Sequence, residues 1–191
     1  EEVTVPQVVA GNHGDWVELS PSWIALWDKL QLEPYAIRKN VRYYVLCPEN
    51  QAIDVRSFFK DLSAVYETCN FGHHRPGTDF STAPDGIVMV PAGSIQSVES
   101  SRDTQNEIHL RQFIAKAIDL GVCIADNYSK QHQENPCVIV YFVNPFYPNN
   151  PVDSLCSISQ CMAAMSLRTA GLPIAFNSVP LLDVSQVNMD V

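Results

Sequence analysis

The 191-residue chain contains no apolar run of the roughly eighteen residues that a bilayer-crossing helix needs, so no segment reads as a membrane span. Charge is scarce: Asp, Glu, Lys and Arg make up 17% of the residues. A low charge fraction leaves more surface free to be buried against something else, which suits a component of an assembly. Positive charge is scarcer still, with 12 Lys and Arg against 21 Asp and Glu and a net charge of -9. Phosphate contacts need clustered basic side chains, so this composition argues against general nucleic-acid binding. The densest basic run, Arg38-Lys39 with Arg42, reads as a solvated turn at the lip of a strand.

Several catalytic signatures are also missing. No Walker loop and no Gly-x-Ser-x-Gly elbow occurs, which removes the usual phosphate cradle and the hydrolase nucleophile. The turn Cys47-Pro48-Glu49-Asn50-Gln51-Ala52 has no glycine for close approach to a pyrophosphate, and Glu49 puts a carboxylate there instead. The six cysteines are scattered and lie partly inside apolar runs such as Pro136-Cys137-Val138-Ile139-Val140. Free thiols in a reducing compartment explain that pattern better than a disulfide framework. There are no internal repeats and no low-complexity tract. The opening Glu1-Glu2 carries neither a methionine nor a charged-then-apolar leader, and the expectation is a piece of a longer protein.

What is present is an alternation of strands and helices. Val41 to Cys47 is apolar on both faces of a strand, and Pro48 with Glu49-Asn50 turns the chain. Phe58, Phe59, Leu62, Val65, Tyr66 and Cys69 then form one stripe of a helix over about 54–70, with Gly72 supplying positive φ past its end. Gly86 to Pro91 is a second strand. A helix from Asp103 to Leu120 follows, with Ile108, Leu110, Phe113, Ile114, Ala117 and Ile118 inward, broken at Gly121. Cys137 to Val143 is the third strand. Asp153 or Ser154 caps a helix to about Ala170 carrying Leu155, Ile158, Met162 and Met165, and Leu172 to Phe176 is a fourth strand. Before these, Val3 to Val9 alternates as an edge strand or arm, and Ser20-Pro21 opens a helix whose Trp23, Ile24, Trp27 and Leu30 dock on the core. The tail after Val179 shows no period. Residues 1–191 form one domain: an arm and packed helix over 1–40, and a core over 41–191. The expected fold is α/β, a Rossmann-like three-layer sandwich around a mainly parallel four-stranded sheet.

Trp27-Asp28-Lys29-Leu30, Leu32-Glu33-Pro34-Tyr35, Tyr44-Val45-Leu46-Cys47-Pro48-Glu49-Asn50, Phe58-Phe59, Asp61-Leu62-Ser63, Val65-Tyr66-Glu67, Cys69 and Gly72-His73-His74-Arg75-Pro76 carry a resemblance. As a set they are similar to the Argonaute MID-like module of the subunit-thirteen family of Mediator, the scaffold of its kinase module. Beyond Pro76 the likeness is one of layout rather than wording. The resemblance implies a nuclear, non-catalytic scaffold without cofactors that regulates transcription by RNA polymerase II. It implies as partners other domains of the same subunit, a cyclin-dependent kinase, cyclin C, Mediator subunit twelve and core Mediator.

Three constellations are candidates for chemistry. Cys69 to Arg75 spells the Cys-x-x-Gly-x-x-Arg of a cysteine phosphatase loop, but a cysteine at a helix end faces a negative dipole that opposes a thiolate. Cys69 with His73 and His74 offers three zinc ligands without a second matching group, and paired loop histidines read as exposed polar residues. The third is the rim at the strand ends, where open α/β sheets bind ligands: Pro48, Glu49, Asn50, Pro91, Ala92, Gly93, Asn144, Pro145 and Phe146. In Argonaute MID modules this rim holds a 5′ phosphate through a tyrosine, two lysines and a glutamine. From Ser94 to Gln112 this chain has no tyrosine or lysine, only Arg102 and Arg111, while Glu99, Asp103 and Glu107 add negative charge. None of those ligands carries over, and the pocket is expected to be lost or filled by protein. Gln105, His109 and Gln112 either face the rim or, as helix periodicity favours, face solvent. The functional expectation is a protein-contact module; the alternatives are an Argonaute-like 5′-end-binding module and a cysteine phosphatase.

Overall fold

A computed structural model describes residues 6–78, 83–91, 102–130, 137–146 and 151–180. Two apolar runs organise it. β4 (Val41–Pro48) and β7 (Cys137–Asn144) are the two longest strands and lie side by side in parallel, Val41 opposite Cys137 and Leu46 opposite Phe142. Buried on both faces, they need apolar side chains at nearly every position, and their sequences supply them.

The remaining strands add to this pair, all in parallel. β8 (Ile174–Pro180) flanks β7. The other side of β4 is shared by two short strands: β5 (His74–Pro76) along Val41 to Tyr43, and β6 (Ile87–Val90) along Val45 to Pro48. The sheet therefore has five strands, not four. The extra one, His74-Arg75-Pro76, has the composition of a turn; pairing with β4 makes it a strand.

Helices cover both faces, which gives the three layers. α1 (Ala52–Thr68) packs Val55 and Phe59 against Tyr43, Val45 and Tyr141. α2 (Arg102–Lys130) and α3 (Pro151–Ser166) pack Phe113, Ala117, Ile124, Ile158 and Met165 against Leu46, Val140 and Phe142. Among the described residues no helix is long and apolar enough to cross a membrane.

Several expectations need correction. α2 runs through Gly121 for 29 residues. A Cβ on Gly121 would lie 3.2 Å from the Met165 side chain and 3.3 Å from that of Arg168, so the glycine permits close approach of α3 rather than ending the helix. At the end of α1 the left-handed position is taken by Asn70, with φ 59°, in a Schellman arrangement: Phe71 N–H donates to Tyr66 O at 3.1 Å and Asn70 N–H to Glu67 O at 3.1 Å. Gly72 also has positive φ, for a different reason: the Lys39 backbone occupies the space of its missing Cβ. Val65, Ile108 and Leu155 are exposed rather than inward.

The N-terminal region departs furthest. The helix expected after Ser20 is a short six-residue stretch of tight helix, Pro21–Leu26, with no buried residue and no side-chain cap. Trp23 and Ile24 are exposed, while Trp27 packs its ring 5.2 Å from that of Phe71. In place of an arm there is a second, antiparallel sheet of three strands: β1 (Val8–Asn12), β2 (Asp15–Leu19) and β3 (Leu32–Glu33). Asn12-His13-Gly14-Asp15 closes its hairpin, with φ of 49° at His13 and 84° at Gly14, the geometry that matches strand twist. Residues 1–5, the connection 92–101 and the tail from 181 lie outside the described residues.

Candidate functional site

Parallel pairing brings the C-terminal ends of β4, β6 and β7 to one edge, with Pro48 opposite Val90 and Leu46 opposite Phe142. The rim predicted from sequence is thus assembled from Pro48-Glu49-Asn50, Pro91 and Asn144-Pro145-Phe146. Ala92 and Gly93 lie outside the described residues, as does the side chain of Gln105.

The rim residues bind one another. Asn144 is 6% exposed and both ends of its amide are engaged: its Nδ2 donates to Ser154 Oγ at 2.7 Å, and its Oδ1 accepts the Phe146 N–H at 3.0 Å. This ties the end of β7 to α3 and turns Phe146 back over α2. There the Phe146 ring packs 5.5 Å from Phe113 and 5.8 Å from His109. The sequence read Phe113 as an inward core residue and Ser154 as a helix cap; neither was assigned to the rim, because each reaches it from a helix whose approach to the strand end is set by packing.

His109 and Gln112 do not face solvent as expected. Both are half-buried, and His109 Nε2 and Gln112 Oε1 are buried without a hydrogen-bond partner. Burial lowers the His109 pKa, so the ring is neutral near pH 7. The nearby cation Arg111 is held by Glu107 at 2.6 Å, one helical turn away. At the start of α1, Glu49 and Asp54 stand where the helix dipole would attract an anion. A phosphate at this edge would meet a neutral imidazole, a paired arginine and two carboxylates.

The other two constellations come apart in space. Cys69 sits at the end of α1, and Arg75 lies on β5. Burial and then Asp28 push the Cys69 thiol pKa up, the opposite of what a nucleophile needs. His73 is exposed and pairs with Glu67 at 3.0 Å. His74, read as an exposed loop residue, is instead 2% exposed on β5. Its Nδ1 lies 2.9 Å from Ser63 Oγ and its Nε2 3.1 Å from the Tyr141 hydroxyl. Ser63 gives its one proton to the Phe59 carbonyl at 2.7 Å, so Nδ1–H donates to Ser63 and Nε2 accepts from Tyr141. The Tyr43 ring stacks on the imidazole at 4.4 Å. Burial lowers the His74 pKa to about 4, against a smaller upward pull from Glu67. With both nitrogens engaged, His74 has no lone pair for a metal, and among the described residues no group of three or more His, Cys, Asp or Glu side chains forms a metal site.

A family model described as the MID domain of medPIWI matches residues 39–188. The chain belongs to the medPIWI MID family. The match extends well past Pro76, and the parallel α/β sandwich is the MID-type fold. The chain is 35% identical over 156 residues to Mediator of RNA polymerase II transcription subunit 13 from Homo sapiens, covering 81% of this chain and 7% of that protein. It is 43% identical over 142 residues to the subunit 13-like protein of Danio rerio, covering 65% of this chain and 7% of the relative. A subunit 13 from Dictyostelium discoideum is 46% identical over 76 residues, covering 39% of this chain and 3% of the relative. This medPIWI MID chain therefore spans a small part of the curated relatives it matches.

Proposed function

We propose that this chain is a non-catalytic interaction module of a Mediator subunit 13-type scaffold, one domain of a much longer polypeptide. In this reading it acts in the nucleus, helps hold the Mediator kinase module together and regulates its docking on core Mediator, and so transcription by RNA polymerase II. Its partners are other domains of the same subunit, the cyclin-dependent kinase, cyclin C, subunit twelve and core Mediator. The observation that carries the reading is the rim. Asn144, Ser154, Phe146 and Phe113 fill it from within, and Arg111 is paired with Glu107. A site that closes on its own side chains and repels anions suits contact with protein rather than with a 5′ phosphate.

The test is a low-salt titration of the chain with a 5′-phosphorylated RNA oligonucleotide and its unphosphorylated twin. Equal, weak binding of the two is expected. Tight, salt-sensitive binding that requires the phosphate would replace this reading with the Argonaute-like one. Hydrolysis of an aryl phosphate that vanishes in Cys69→Ser would establish the phosphatase alternative; an inert wild type removes it.

A further inference from the structure

The N-terminal sheet has two unlike faces. Paired residues of antiparallel strands point to the same side, so Ala10 with Val17, and Asn12 with Leu32, share one face, where Ala10 and Leu32 are buried. The opposite face carries Val9 paired with Glu18, and Gly11 flanked by Trp16 on one side and Glu33 on the other. This face is open: Trp16 is 60% exposed and Val9 40%. Tyr35, 59% exposed, packs its ring 4.7 Å from Trp16 with the planes inclined by 58°, so that the two rings form an aromatic corner.

Carboxylates surround that corner. Glu18 lies two residues along β2 from Trp16 on the same face, and Glu33 lies across the glycine. Asp15 is adjacent and accepts the Trp16 N–H at 2.8 Å. Among the described residues none of the three forms an ion pair. Arg38 borders the same shallow dent as Glu33, about 220 Å³ in volume, and does not pair with it.

We infer that this face docks an arginine-bearing segment of a partner protein, its guanidinium stacked in the Trp16–Tyr35 corner and bonded to Glu18 or Glu33. A guanidinium is planar, stacks on aromatic faces and grips a carboxylate with two parallel donors, so it meets both features of the surface at once. Acidic peptides and nucleic-acid phosphates are repelled by the carboxylates. A second copy of this chain, with net charge -9, brings mainly the wrong sign. The surface shares no residue with the strand-end rim. The choice of a partner protein over the same polypeptide rests on the scaffold reading.

The experiment titrates the chain into fluorescein-labelled Gly-Ser peptides carrying three arginines, three lysines or three glutamines. Arginine should bind tightest, lysine more weakly and glutamine not measurably, with affinity falling as salt rises. Trp16→Ala and the pair Glu18→Gln with Glu33→Gln should each weaken arginine binding about tenfold or more. Tyr35→Phe, which keeps the ring, and Asp126→Asn, on exposed α2 surface, should leave it unchanged. Equal binding of the glutamine peptide, indifference to Trp16→Ala, or an equal loss in Asp126→Asn overturns the inference. Self-association that Trp16→Ala abolishes overturns it in favour of a second copy. In the intact assembly, a photo-crosslinker replacing Val9, on the same open face, should capture an arginine-bearing stretch of another subunit. Capture of the same polypeptide overturns the choice of partner while leaving the peptide chemistry standing.

Discussion

The five-stranded sheet and the three-stranded sheet treat their aromatic residues in opposite ways. In the first, Tyr43, Phe59, His74 and Tyr141 stack on one another out of water, and their polar atoms find partners inside. In the second, Trp16 and Tyr35 pack at an incline in water, beside carboxylates that form no ion pair among the described residues. The edge where open α/β sheets bind ligands belongs to the first sheet, and there Asn144, Phe146 and Phe113 pack on one another. The difference teaches that a contact surface need not sit where a fold class habitually binds ligands; it sits where apolar area and unpaired charge are both left open.

The sharpest way to break this comparison is to truncate one aromatic from each side. Phe113→Ala, which removes a fully buried ring beneath the rim, should cost about 3–5 kcal/mol in urea denaturation. Trp16→Ala should shift stability by less than about 0.5 kcal/mol, because the side chain is mostly solvated. Similar losses for the two would mean that Trp16 is part of the core.

Acid should separate the two sheets next. His74 stays neutral when folded, with a pKa lowered to about 4. The unfolded chain takes up its proton near pH 6.5, so below that pH the unfolded state holds more protons. Stability from this group is therefore complete above about pH 6.5 and falls by about 3 kcal/mol as pH drops to about 4. Denaturation midpoints measured across that range should show the slope in wild type and lose it in His74→Phe. A slope unchanged in that variant would assign it to other groups.

Smaller again is the effect at the rim hinge. Asn144→Ala removes two internal hydrogen bonds and leaves the buried Ser154 hydroxyl without that partner. The expected loss is about 1–3 kcal/mol, read from the shift in urea midpoint. Near-neutral behaviour would show that water reaches the rim readily and that it is open. The smallest effect on the fold belongs to Glu18→Gln: about 0.5 kcal/mol or less in stability, set against its loss of arginine-peptide binding when combined with Glu33→Gln.

Much of the main sheet was legible in the residues. Val41–Pro48 and Cys137–Asn144 had to be central strands, because only a strand covered on both faces tolerates an apolar side chain at nearly every position. Other features were hidden because they depend on residues far away in the chain. Gly121 reads locally as a helix break, and only the approach of Met165 shows why α2 needs it. His74 reads as a loop histidine until Ser63 and Tyr141 converge on it. Trp23 reads as a core anchor, yet the turn that carries it lies outside the core. At the rim, Asn144 and Phe146 were legible from the strand end and His109 as one of two readings, whereas the roles of Ser154 and Phe113 there depend on how two helices pack.

The alternation of strands and helices in the main body, the family and the acidic balance followed from the chain alone, because periodicity and charge are carried by neighbouring residues. Whether the strand-end rim is closed, where a histidine loses its water and which tryptophan stays outside were decided only by the tertiary structure. Each of those is a question of burial, and burial is set by partners that the chain brings together from tens of residues away.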